Sequence, residues 1–562
     1  MHDHNQVKLH FMNDVPWSQV NTGYAKGCAF SNGELFAAPV LSRLFDAQNS
    51  FADFIKLLRR LNGFFAGMRV EEHFIFLAVD HVRSLPLFYA VLGRKVFVSD
   101  DAYWVREQVH DESVDELSVA ELLLTRTVSG SDTLSPLVKQ VQAGEAVALT
   151  VTPEGVQKES NRFYELGYAH PSEQKFEELT DRSDAYLMAA FKRLAEYAAG
   201  STIVVPLGGG LDSRVVVLML KRVGYHNIVS FTYGRPGNRE ARISQKVASA
   251  LQIPWHFVPY SNQDWHRWYN SIEWSQYSKF ANGLSSTPHL QDWPAVWELK
   301  RRRLIPDDSV FVPGHRPSLV LSNAPSGVRA GHHKLQVERL RQQAISGDEL
   351  ASMICEACCT LQNWSRQSAE IHRELSLKVK NVLQPPPTLT SEQAFGYFDR
   401  WSWENNFAKF MVNSIRVYEF WGYRWWLPLW DLEFVRFWRS LPRHYRFEKR
   451  FENAYVRKLE AQTTGKLAIS DSSRHNVGPI IVGILNRLHL RNMARRIRAR
   501  AEYNRHPFAW YGLIPEGDYH RAFHGKEDIN TYLANQIVKQ TFPQWKIPEG
   551  LDIIANSADY QE

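Results

Sequence analysis

No run of 18 apolar residues occurs in the 562 residues of the chain, so no stretch reads as a membrane span. Cysteine is scarce, with four copies, too few for a disulfide framework. The first residues, Met1-His-Asp-His-Asn-Gln, lack the charged-then-apolar pattern of a secretion signal, and the expected location is the cytoplasm with reduced thiols. The net charge of +6 is small for the length and does not imply a nucleic-acid partner. Both common phosphate-loop patterns are also missing: no Gly-x-Gly-x-x-Gly, and no Lys-Ser/Thr after a glycine loop. Aromatic residues are plentiful. The 18 tryptophans point to large aromatic cores or clefts, and the 44% hydrophobic content is that of an ordinary folded protein. At roughly 100–200 residues per domain, more than one domain is expected.

The most informative stretch runs from Ser201 to Lys221. Ile203, Val204 and Val205 are apolar and β-branched in succession, as in a strand covered on both faces. Gly208, Gly209 and Gly210 follow, and from Asp212 the apolar pattern suits a packed helix. Glycines let backbone N–H groups come close to a ligand, and a helix start adds unpaired N–H donors and a positive dipole end. Together they form an anion site best suited to phosphate, although a glycine-rich turn without a ligand would read the same way. Further strands are read at Ile228–Tyr233, Trp255–Val258 and from Ser309, with a helix over Ala241–Leu251. This alternation predicts a parallel sheet with ligands at the carboxyl ends of its strands.

Before this unit lie strands at Phe74–Val79 and Lys95–Asp100 and a helical stretch at Phe51–Leu61. A polar segment, Phe163–Gln174, reads as a linker, and the helix Leu179–Ala199 leads into the glycine stretch. Cys355-x-x-Cys358-Cys359 has partly metal-like spacing, but its neighbours suit one face of a packed helix. The arginine-rich run Arg487–Arg505 suits a solvated helix face, or contact with an anionic surface.

The motif Gly208-Gly209-Gly210-Leu211-Asp212-Ser213 resembles the pyrophosphate loop of the asparagine synthetase family, with Gly208 in place of serine. Asn62-Gly63-Phe64-Phe65-Ala66, then Ala78-Val79-Asp80 with Arg83 and Pro86-Leu87-Phe88-Tyr89, is similar to that family's glutaminase-like domain. Leu427-Pro-Leu-Trp-Asp431 looks like the version found in related proteins of bacterial polysaccharide clusters.

The resemblance implies an α/β chain. A glutaminase-like N-terminal-nucleophile sandwich at 1–165 would join a doubly wound ATP-pyrophosphatase domain at 175–545, with a tail at 546–562. It also implies ATP and Mg²⁺. ATP would contact Leu207, Gly208, Gly209, Gly210, Asp212 and Ser213, with Thr232, Tyr233, Gly234, Glu240 and Gly314 facing the nucleotide. Mg²⁺ would sit on Asp212. Arg316-Pro317-Ser318 replaces the acidic part of the family's second metal motif. The family's lysine that acts on the α-phosphate would be Lys466, ahead of Lys449 and Lys458. The family's carboxylate-orienting Glu falls in register on Arg424, which leaves nearby Glu419 as its replacement.

The implied reaction is adenylation of a carboxylate, followed by attack of ammonia or an amine. The substrate would be aspartate, or a sugar uronic acid converted to a uronamide. The family's glutaminase needs cysteine as its first residue, whereas His2 follows Met1 here and Cys28 is internal. The amine is therefore expected as free ammonia or from a separate glutaminase, and a homodimer is among the expected assemblies. The altered residues leave a second reading open, a non-catalytic member of the family kept for binding or assembly.

Overall fold

The computed structural model describes residues 6–12, 14–166, 174–317, 344–362, 364–446, 449–464, 491–522, 528–548 and 551. Among these residues, eleven strands precede residue 165: β1 (Val7–His10), β2 (Ser18–Val20), β3 (Gly23–Ser31), β4 (Glu34–Ala37), β5 (Asn62–Val70), β6 (Phe74–Val79), β7 (Phe88–Leu92), β8 (Lys95–Ser99), β9 (Lys139–Gln140), β10 (Glu145–Thr152) and β11 (Gly155–Arg162). They form a smaller sheet, β1-β8-β7-β9, and a larger one, β11-β10-β6-β5-β3-β2, with β4 alongside β3.

Side-chain alternation sets the layering. On β5, Phe64, Ala66 and Met68 face the other sheet, while Phe65 faces outward onto Phe45 and Phe54 of the covering helices Ala38–Asp46 and Phe51–Leu58. Along β6, Ile75, Leu77 and Val79 point inward, and Phe76 and Ala78 outward. On β8, Val96 and Val98 join the inner core, while Phe97 meets a second helical layer that includes Val105, Leu122 and Ile354. The result is two sheets face to face with helices on both outer faces.

The remaining strands are β12 (Ile203–Pro206), β13 (Ile228–Gly234), β14 (Trp255–Pro259), β15 (Val310–Phe311), β16 (Ile345–Ser346), β17 (Thr388–Leu389) and β18 (Arg424–Trp425). Five of them make a parallel sheet in the order β14-β13-β12-β15-β18, and β16 pairs antiparallel with β17. Ile203, Val204 and Val205 are fully buried, as their unbroken apolar run predicts. The chain builds outward from β12 to β13 and β14, then returns to the other side of β12 to place β15. The order reverses between β12 and β15, and the carboxyl ends of these two strands are where a sheet of this kind places its ligand crevice.

The two sheet systems share one core and several polar fasteners. Asp431 takes a bidentate pair from Arg193 (2.7 and 2.8 Å) and a hydrogen bond from Asn62 Nδ2 (3.0 Å), and it caps the helix Leu432–Ser440. Asn62 Oδ1 in turn accepts the Leu432 N–H at 2.9 Å. His81 donates to the Trp430 carbonyl (2.7 Å), and Trp403 Nε1 to the His81 carbonyl (2.8 Å). Trp426 packs on Phe30, Phe64 and Tyr197. The tryptophans Trp265, Trp293, Trp403 and Trp430 are fully buried, so much of the aromatic surplus is core. Cys355 and Cys359 are likewise buried, and no cluster of three metal-ligating side chains exists among the described residues. No helix among the described residues is long and apolar enough to cross a membrane.

At the seam, Lys26 reaches Asp14 (2.8 Å) and Asp100 (2.9 Å), and Asp14 also meets Arg416 at 3.5 Å. All four are buried. Removing one partner of such a group leaves a desolvated charge uncompensated. Lys26→Met should therefore lower the unfolding free energy by about 3–5 kcal/mol, read by urea denaturation.

Candidate functional site

The glycine loop is bound closely to its neighbours. The Leu207 N–H donates to the Phe231 carbonyl at 2.9 Å, and the Thr232 hydroxyl donates back to the Leu207 carbonyl. Trp255 Nε1 secures Thr232 from the third strand at 3.1 Å. The Gly208 N–H donates to Ser213 Oγ at 3.1 Å, folding the loop onto the helix Asp212–Arg222. Beneath that helix start lies Gly314, where an added Cβ would stand 2.5 Å from Ser213 N and 2.7 Å from Asp212 C. Only a residue without a side chain lets the segment after β15 lie this close.

The Glu240 carboxylate occupies the loop. It accepts the Gly209 N–H, and a Cβ on Gly209 would meet its oxygen at 3.0 Å. Glu240 stands in the first turn of the helix Arg239–Ala250, whose start is fixed by Asn238 accepting the Ala241 N–H at 2.8 Å. The loop thus holds an anion, the protein's own carboxylate, on a backbone N–H of the kind that binds phosphate oxygens at helix starts. Gly210, on the outer side, has open space around it. These residues fit the phosphates of ATP once Glu240 withdraws.

Asp212 is ringed by cations. Arg316 Nη2 donates to its Oδ1, and Lys449 Nζ lies 3.3 Å from its Oδ2. Burial opposes its charge, but Arg316 and Lys449 outweigh it and hold the carboxyl below its ordinary value. Arg316 Nη1 lies 3.7 Å from Glu452, a buried carboxylate whose affinity for a proton is raised by burial. Two residues beyond Asp212 on the same helix, Arg214 pairs with buried Glu460 at 3.1 and 3.2 Å and reaches the Gly209 carbonyl at 3.4 Å. Mg²⁺ does not fit Asp212 as arranged, since both carboxylate oxygens already serve protein cations.

Other expected residues are placed differently. Glu419 is buried, with its oxygens accepting from Arg416 and from Trp425 Nε1 (2.9 Å). It belongs to the Lys26–Asp14–Arg416 seam, and its carboxylate is already committed. Arg424 opens β18 and bonds Ser201 Oγ (2.7 Å) and the Asp308 carbonyl (3.0 Å), both at the amino ends of the sheet, opposite the glycine loop. Gly234 packs under Pro507, whose carbonyl accepts the Arg235 N–H at 2.6 Å, and the Tyr233 ring lies against Tyr260 and Phe508. The chain after the arginine-rich helix Arg491–Arg505 therefore covers the end of β13 where the nucleotide was expected. Lys466 and Ser318 lie outside the described residues. Of the other two lysines, Lys449 reaches Asp212, while exposed Lys458 lies 3.9 Å from Asp181. Glu452 and Glu460 carry no motif in the sequence and reach the site only through the helix Arg450–Thr464.

His315 is half-buried and shares a hydrogen bond with Ser414 Oγ at 3.2 Å. Burial lowers it to about 4, and the same cause takes His81 and His506 to about 4. Burial pushes Asp80 up to about 6. Unfolded histidines bind protons below about pH 6.5, where these three do not when folded, so they remove stability as pH falls. Asp80 acts in the opposite sense over the same window, because it binds its proton more tightly when folded. His315→Gln should remove its share of that loss, so the variant's urea midpoint should rise relative to the wild type's as pH falls from about 7 to about 4.5. Replacing the anion that fills the loop should open it. Glu240→Gln is expected to tighten inorganic pyrophosphate binding about ten-fold, or about 1.4 kcal/mol, by titration calorimetry.

Three comparisons bear on this geometry. A stretch of 97 residues is 32% identical to the mitochondrial tRNA-specific 2-thiouridylase 1 of Danio rerio, covering 16% of this chain and 22% of that protein. The match thus spans about a fifth of the relative's length. Among solved structures, the NH3-dependent NAD synthetase of Campylobacter jejuni aligns at 12% identity with TM-score 0.19, over 38% of this chain and 94% of that one. The glutamine phosphoribosylpyrophosphate amidotransferase of B. subtilis aligns at 12% identity with TM-score 0.18, over 58% of this chain and 70% of that one. Residues 195–288, which hold the glycine loop, β13, Glu240 and β14, match the model of the asparagine synthase family.

Proposed function

We propose that the chain is an ATP-dependent amide-forming ligase of asparagine synthetase type. The observation that carries this reading is the anion held by the Gly209 N–H at the carboxyl end of β12, in the crevice of a parallel sheet. ATP would place its pyrophosphate on the N–H groups of Gly208–Ser213, displacing Glu240. A substrate carboxylate oxygen then attacks the α-phosphorus, the bond to the bridging oxygen breaks, and pyrophosphate leaves with that electron pair. Ammonia or an amine attacks the acyl carbon and AMP departs. Lys449, whose ammonium already lies at Asp212, is the described lysine placed to offset charge on the reacting phosphate.

Aspartate and a sugar uronic acid are the two carboxylates this reading offers. Cys28 lies inside β3, where burial pushes its thiol up to about 12, so the amine is free ammonia or comes from a separate glutaminase. The commitment of both Asp212 oxygens favours a second reading, a member that binds nucleotide without turning it over.

ATP–pyrophosphate exchange across a panel of carboxylates separates the two. The ligase predicts exchange that Lys449→Met lowers by about 100-fold or more while ATP binding persists. ATP binding without exchange for any carboxylate selects the second reading, and absence of ATP binding refutes both.

A further inference from the structure

We propose that Arg316 is a built-in replacement for a divalent cation at the glycine loop. The guanidinium stands between two carboxylates from distant parts of the chain. One end donates to Asp212 Oδ1, at the start of the helix after the loop. The other lies 3.7 Å from Glu452 Oε2, on the helix Arg450–Thr464. Glu452 is 4% exposed, and among the described residues neither of its oxygens accepts a hydrogen bond. Beside it the wall is apolar, with Leu187, Val215, Phe434 and Phe451. A buried carboxylate with no donors is costly, and the cation facing it is what offsets that cost.

Two carboxylates with a cation between them is the charge pattern of an oxygen-ligated divalent site. Here the cation is part of the protein. Arginine does not lose its proton at any working pH, so the neutralisation is permanent and no chelator can remove it. Arg316 is itself 6% exposed, so its charge is held in place by the fold. Removal of the guanidinium would leave Asp212 and Glu452 facing one gap, with Lys449 as the remaining cation among the described residues. A hard divalent cation should then enter that gap.

The test is Mn²⁺ binding to the full chain, measured by electron paramagnetic resonance of free Mn²⁺ without nucleotide. The wild-type chain should show no site tighter than about 1 mM. Arg316→Ser should gain one equivalent of sites at least about ten-fold tighter, accompanied by a Mn²⁺-dependent rise in melting temperature. Adding Asp212→Asn or Glu452→Gln should abolish the new site. Arg316→Lys keeps a cation in the gap and should stay silent towards Mn²⁺.

One equivalent of Mn²⁺ bound by the wild-type chain and lost in Asp212→Asn overturns the proposal. So does a folded Arg316→Ser that gains no site. Should Arg316→Ser not fold, the wild-type and Arg316→Lys measurements decide the matter. A second arm rests on the loop being a phosphate site, as proposed above. Pyrophosphate affinity of the wild-type chain should change less than about two-fold between EDTA and Mg²⁺, and a ten-fold loss in EDTA overturns the proposal. If pyrophosphate binds in neither buffer, the ligase reading fails while the Mn²⁺ result stands by itself.

Discussion

Everything at the candidate site depends on one backbone contact, that between Gly314 and the first turn of the helix at Asp212. An added Cβ at 314 would stand 2.5–2.7 Å from main-chain atoms of Asp212 and Ser213, and main-chain atoms cannot swing aside as a side chain can. The contact follows from strand register. Ile203 pairs with Val310 and Val204 with Phe311, so β12 and β15 end side by side and their following loops must share the same crevice. From Gly314 the chain needs only two more residues to bring a guanidinium onto Asp212. The choice of arginine at 316 then sets the electrostatics of the whole loop.

A parallel constraint acts from the other side. β13 pairs with β12 through Val205–Ser230 and Pro206–Phe231, which brings the loop after β13 level with the glycines. The Asn238 cap starts the next helix there, and an acid in a first turn is favoured by the helix dipole. Glu240 is thus held by two attractions at once, its own helix end and the Gly209 N–H. The absence of side chains at 208 and 209 gives that carboxylate room to enter.

The strand–glycine–helix unit was legible because each of its signals is local: three β-branched residues, three glycines, then a helical apolar pattern. β6 and the order of β12, β13, β14 and β15 follow from the same kind of evidence. The charges that surround Asp212 were not legible in this way. Lys449 and Glu452 lie more than 200 positions further on, and only the packing of their helix segment brings them to the loop. Arg424 shows a different failure. Nothing local in its sequence says that residues 424–425 form a strand, and without the strand direction one cannot tell that Arg424 falls at the amino ends of the sheet. Glu419 is a carboxylate close in sequence to the position the resemblance implies, but pairing with Arg416 and Trp425 decides where it points. The motif residues Asn62, Asp80 and Asp431 were legible as a pattern. In the fold they act as fasteners, Asn62 and Asp431 across the seam and Asp80 within the turn that binds Phe65, Val82 and Ser84.

The charge balance at the loop gives these placements a common consequence. Among the described residues, three carboxylates, Asp212, Glu240 and Glu452, face two cations, Arg316 and Lys449, while Arg214 pairs with Glu460. On the proposed reading, an arriving phosphate would meet a carboxylate already in its cradle, that of Glu240. Entry would then be an exchange of anions, with Glu240 leaving the Gly209 N–H as a phosphate oxygen takes it. The gain from binding is the difference between two charge-assisted hydrogen bonds plus whatever the remaining N–H groups and Lys449 add. Selectivity for a pyrophosphate over a single anion then rests on those additional donors, because a lone carboxylate or phosphate gains little over the Glu240 it displaces.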